Sequence, residues 1–94
     1  MMAKYVTLFK YRGAIEGGGP ERFAKAQQLI AEDGGEILHI FGLLGEYDIL
    51  AITEGKDNRS AMKAAARVGN LINAKTHTMP AIERDDFLQL LTEL

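Results

Sequence analysis

The chain has 94 residues, is 47% hydrophobic and 26% charged, and carries a formal net charge of −2. That balance argues against intrinsic disorder, which needs low hydrophobicity and high net charge. With an isoelectric point near 5.6, it also argues against general nucleic-acid binding, which leaves a basic footprint. Cysteine is absent, so disulfide scaffolding, thiolate catalysis and cysteine-ligated metal or cluster sites are excluded.

At this length the expectation is a single domain over residues 1–94. The N-terminal Met1-Met2-Ala3-Lys4-Tyr5 enters a strand pattern directly, without the apolar core of a secretory signal. The longest mostly apolar stretch, residues 37–44, is too short to cross a membrane. The default expectation is a cytoplasmic protein with neither membrane nor nucleic acid as partner.

Residues 5–11 are rich in β-branched and aromatic side chains and predict a first strand. Gly13 and the run Gly17-Gly18-Gly19 break it, and Pro20 suits the first turn of a helix. Phe23, Ala26, Leu29 and Ile30 give that helix an apolar stripe, and Asp33-Gly34-Gly35 stops it. Residues 37–44 predict a second strand, Gly45-Glu46 a tight connection, and residues 47–53 a third strand paired with it. Asp57 is placed to cap a second helix, in which Ala61, Ala64, Ala65 and Val68 form a narrow small-residue face. Gly69-Asn70 is read as its end, residues 71–79 as a fourth strand, and Pro80 as that strand's stop. Asp85 or Asp86 is read as the cap of a short third helix with the stripe Phe87, Leu90, Leu91 and Leu94. The order βαββαβ plus a terminal helix predicts an α+β, ferredoxin-like fold with a four-stranded antiparallel sheet and helices on one face.

A sheet of that kind normally alternates apolar and polar residues, because one face meets water. Here Tyr5, Thr7, Phe9 and Tyr11 oppose Val6 and Leu8; Ile37, Phe41 and Leu43 oppose Leu38 and Ile40; Ile49 and Ala51 oppose Leu50 and Ile52. Both faces are apolar, yet two helices cover one. The third helix or a second copy of the chain is expected to cover the other, and a long apolar edge strand adds to the need. A homodimer or higher homo-oligomer is the expectation.

The residues that carry chemistry are few. Gly17-Gly18-Gly19 lacks the Gly-Lys-Ser/Thr ending of a phosphate loop and reads as a flexible loop or mobile lid. His39 and His77 fall on strands expected at opposite edges, so one chain does not join them into a metal site, and no metal or cofactor is called for. Either has the chemistry of a general base if enclosed. Gly45-Glu46-Tyr47-Asp48 is the densest polar group: Asp48 suits backbone N–H groups in a bend, or Tyr47 and Asp48 orient a small ligand at the sheet's rim. Lys10, Arg12 and Lys75 place positive charge near strand ends.

The segment Gly45-Glu46-Tyr47-Asp48-Ile49-Leu50-Ala51-Ile52-Thr53-Glu54 resembles the GYD-domain family. The resemblance extends to Tyr5-Val6, Leu8 and Lys10-Tyr11 in the first strand, to Gly34-Gly35, and to Asn73, Thr76 and Thr78 near the last strand. It implies a dimeric α/β-barrel, in which two sheets meet face to face, and implies little about activity. A more distant similarity is to the effector-binding domains of feast–famine regulators, which hold amino acids or related molecules at subunit contacts; no helix-turn-helix precedes the first strand here. Cofactor-independent monooxygenases and isomerases of the same superfamily place a histidine or aspartate inside the barrel. The ligand-binding candidates are Tyr11, His39, Tyr47 and Asp48, and the catalytic candidates are His39, Asp48 and His77. Three functions follow as expectations: a homo-oligomeric small-molecule-binding or sensory module, a structural oligomerisation domain, or a cofactor-independent enzyme.

Overall fold

A computed structural model describes residues 2–14 and 19–94; Gly17 and Gly18 of the glycine run, read above as a loop or lid, lie outside the described residues. Strand β1 (Ala3–Tyr11) is followed by helix α1 (Gly19–Glu32), strands β2 (Glu36–Gly42) and β3 (Ile49–Gly55), helix α2 (Asn58–Ile72), strand β4 (Ala74–Ala81) and helix α3 (Arg84–Thr92). The four strands form one sheet in the order β2-β3-β1-β4, antiparallel throughout. This is the expected βαββαβ fold with a C-terminal helix.

Side-chain parity divides the sheet. Tyr5, Thr7 and Phe9 of β1 are buried, and the register carries that face through Ile49 and Ala51 of β3 and Thr76 and Thr78 of β4. Helices α1 and α2 lie over it, and the core gathers Phe9, Ala26, Ile30, Ala51, Ala64, Val68 and Ala74. Tyr5 is 2% exposed. Burying its ring satisfies the hydrophobic term, and its hydroxyl donates to Asn58 Oδ1 at 2.7 Å, so no polar group is stranded. The Thr7 and Thr78 hydroxyls pair across β1 and β4 at 3.0 Å.

Strand β2 departs from simple alternation. Between Ile37 and His39 the register slips, so that two residues of β2 oppose one of β3, a β-bulge at Leu38. Strict alternation places Ile37 and Ile40 on opposite faces. The bulge instead turns both toward the helices, and His39 and Phe41 share the other face, with their rings 6.3 Å apart and nearly parallel.

Asp57 caps α2 as expected, its Oδ1 accepting the Ser60 N–H at 2.7 Å. That contact holds the Asp57 carboxyl below its ordinary pKa. Gly69-Asn70 does not end the helix. The chain stays helical to Ile72 and turns at Asn73, whose φ of 54° is left-handed, so β4 begins at Ala74 and runs through Pro80 to Ala81 on the sheet's edge. Gly69 serves packing: a Cβ there would lie 2.8 Å from Thr76 Cγ2 and 3.0 Å from the Ala74 carbonyl oxygen. Because one of those atoms is backbone, Gly69→Ala must push α2 off β4. Despite its better helix propensity, the variant is expected to lose about 1–3 kcal/mol of stability. A urea titration with an unchanged slope and a lower midpoint would check this.

The connection from β2 to β3 spans residues 43–48 rather than the two-residue turn expected. Asp85 and Asp86 sit in the first turn of α3, where acidic groups favour the helix dipole, and Glu83 is the cap residue, with no side-chain capping bond. Lys4 roots this helix: its ammonium meets Glu83 at 2.7 Å and Glu54 at 3.1 Å, and those contacts, Glu83 foremost, raise its pKa. Beyond that root, α3 packs against no other helix or strand among the described residues. The molecule measures 47 Å along its longest axis and 18 Å along its shortest.

Candidate functional site

Three features bear on function: the open face of the sheet, the corner made by residues 45–48, and a cleft under α1.

The open face carries Val6 and Leu8 of β1, Leu50 and Ile52 of β3, His39 and Phe41 of β2, and His77 and Met79 of β4. Phe41 is 53% exposed, and the edge-strand histidines are exposed as well. The row His77, Leu8, Leu50, Phe41 crosses all four strands, so the two histidines stand at opposite edges with apolar side chains between them. Three strand spacings separate those edges, about 14 Å. The second apolar face anticipated from the sequence is therefore present. The third helix does not lie on it.

At the corner, Gly45 has a φ of 127°, a conformation that L side chains rarely adopt. It lets the connector swing back so that Asp48 meets the end of β1. The Asp48 N–H donates to the Phe9 carbonyl at 2.9 Å, the Asp48 carbonyl accepts from the Leu43 N–H at 2.8 Å, and Oδ2 accepts from the Tyr11 N–H at 2.8 Å. Lys10 Nζ adds a bond to the Glu46 carbonyl at 3.0 Å. Asp48 thus binds backbone, as one of its two readings had it, but the N–H belongs to β1 and not to its own bend. Tyr47 beside it is half-buried.

The cleft lies between α1 and the sheet. It has a volume of about 200 Å³ and is walled by Phe9, Tyr11, Phe23, Ile37, Ile40 and Ile49, with Arg22 also on its wall. Of the residues singled out from sequence, Tyr11 alone lines it. Asp48 reaches it indirectly, through the Tyr11 backbone. His39 and His77 lie on the other face of the sheet, so the structure divides the candidates between two sites. Phe23, of the apolar stripe expected in α1, is 37% exposed and lines the cleft. Ile37 and Ile40 were separable from Phe41 only by noticing that two apolar residues in succession, Ile37-Leu38, break the alternation.

The strand order and the helices on one face define a ferredoxin-like α+β protein with an uncovered sheet face and a structured Gly-x-Tyr-Asp corner. The GYD-domain model matches residues 5–91, and the chain belongs to that family. A comparison with curated proteins finds no match. Among solved structures, the chain is similar to the leucine response regulatory protein of Mycobacterium tuberculosis (TM-score 0.66, 11% identity), over 86% of this chain and 51% of that one. It is similar to a homoserine dehydrogenase of Thiobacillus denitrificans (TM-score 0.61, 16% identity), over 88% of this chain and 18% of the other. It is also similar to an uncharacterised protein of Thermotoga maritima (TM-score 0.57, 16% identity), over 87% of this chain and 100% of that protein. This chain therefore spans about half of the regulator and under a fifth of the dehydrogenase. At such identities the likeness is one of fold. No helix among the described residues is long and apolar enough to cross a membrane.

Proposed function

We propose that this chain is a small-molecule-binding module, acting as one unit over residues 1–94, that works in the cytoplasm as a homodimer with the open sheet faces of two copies in contact. The cleft under α1 carries the ligand-binding half of the reading. Ligand sites are concave and mostly apolar, with a few polar groups on the wall, and this cleft of about 200 Å³ has that character. A cavity of roughly 150 Å³ holds one benzene. The fitting ligand is therefore a small aromatic or branched aliphatic molecule, with Tyr11 and Arg22 supplying polar contacts on the wall.

A thermal-shift panel of aromatic and branched carboxylic acids and amino acids, leucine among them, tests this. At a hundredfold excess over Kd, a bound ligand adds about 2.7 kcal/mol, a rise of roughly 10 °C or more in a domain of this size. Ala26→Leu, which extends a helix-favouring side chain from α1 into the cleft, is expected to abolish the shift while leaving the unliganded protein folded. No shift with any member, in a protein that remains dimeric, would contradict the ligand reading and favour a structural oligomerisation domain.

A further inference from the structure

The open face is electrically polarised from end to end. At one end Lys10 and Lys75 stand directly opposite each other on β1 and β4. Like charges paired across strands repel, and neither ammonium meets a carboxylate among the described residues; Lys10 bonds only a backbone carbonyl. At the other end Glu54 and Glu83 flank Lys4, and α3 follows with Asp85 and Asp86 in its first turn. That helix begins at the open-face corner of the sheet, because the Lys4 side chain that holds its cap residue projects from that face.

Helix α3 also lacks what a nine-residue helix needs. Isolated helices below about 12–15 residues are marginal in water, and most helical stability comes from packing an apolar side. Phe87, Leu88, Leu90, Leu91 and Leu94 are all exposed, Leu94 at 92%, and α3 packs against no other element among the described residues.

Symmetry joins these two observations. Two identical faces, each basic at one end and acidic at the other, repel when matching ends meet and attract when opposite ends meet. A two-fold axis lying across the strands brings opposite ends together and sets β4 over β4; an axis along the strands does not. We infer that two copies meet with their strands opposed, so that α3 of each crosses to the other copy along the β4 margin of the open face, its acidic first turn beside the partner's Lys10–Lys75 pair and its leucines against that margin of the partner's apolar face. The inference rests on the homodimer proposed above and adds its orientation and the role of α3.

The chain itself supports a direct test. Lys75→Glu and Asp86→Lys, each made alone, are expected to weaken dimerisation about tenfold, and the two together to restore it to within about threefold, since the pair re-forms with its signs exchanged. Because the native chain has no cysteine, a disulfide readout is clean. In one chain residue 75 is at the start of β4 and residue 86 is in α3, past the strand's far end; residues 75 to 81 of the strand alone span about 20 Å, and α3 does not pack back on the sheet among the described residues, so the two positions are far beyond the reach of a disulfide. The variant carrying K75C and D86C is therefore expected to form a covalent dimer on oxidation, where either single variant does not. A dimer that gives no such crosslink, or singles no weaker than the native chain, would overturn the crossed-helix arrangement and leave the dimer standing. A native chain that stays monomeric would instead remove the dimer itself.

Discussion

Leu50→Glu is expected to convert the protein to folded monomers. Leu50 lies on central strand β3, on the open face, in the row between Leu8 and Phe41. In a single copy that position borders water and a glutamate remains hydrated. In the dimer it would be enclosed, and a buried, unpaired carboxylate costs several kcal/mol. An isologous interface repeats the cost in both copies. Roughly 4 kcal/mol or more of lost association free energy weakens Kd by about a thousandfold. Ala51, one residue on, faces the helices and is buried, so Ala51→Glu should unfold the chain instead. Circular dichroism and size-exclusion chromatography with light scattering separate the two outcomes. A folded Leu50→Glu variant that is still dimeric would place the interface elsewhere.

Asp48→Ala is the second large effect. Its carboxylate accepts the Tyr11 N–H at 2.8 Å in a half-buried setting. Removing it strands that donor at the end of β1, at a cost of about 1–3 kcal/mol. In a domain of this size each kcal/mol lowers the melting midpoint by roughly 4–8 °C, so a fall near 10 °C is expected. Asn at position 48 keeps an acceptor oxygen and should recover most of the loss, which a general packing defect would not allow. Because Tyr11 lines the cleft, Asp48→Ala should also weaken any ligand bound there. Faster exchange of the Tyr11 amide is the local readout; unchanged exchange would show that the carboxylate does not hold β1.

Much of the fold was legible because local chemistry and final structure agree. Asp57 caps α2 whatever lies around it, and the strand patterns read true in β1 and β3. What escaped the sequence depends on contacts distant along the chain. Gly69 looked like a helix stop because glycine usually is one; its reason is the approach of β4, visible only once that strand is in place. Asn73, the actual turn, can adopt a left-handed conformation, but so can many asparagines. The bulge at Leu38 has no glycine or proline to announce it, yet it decides which side chains of β2 meet the helices. Asp48 was recognisable as a residue of interest, but its partner is 37 positions away and is brought near only by sheet formation. The cleft is walled by residues of α1, α2 and three strands, which no pattern within one element brings together. The surplus of apolar residues on both sheet faces was readable from alternation alone, because strand parity is set by the backbone.

Sedimentation equilibrium of the 94-residue chain at micromolar concentration tests most directly whether two copies shield each other's open face. A species of about twice the 10.3 kDa chain mass is predicted. A single species at the mass of one chain, unchanged as the concentration rises, would contradict it.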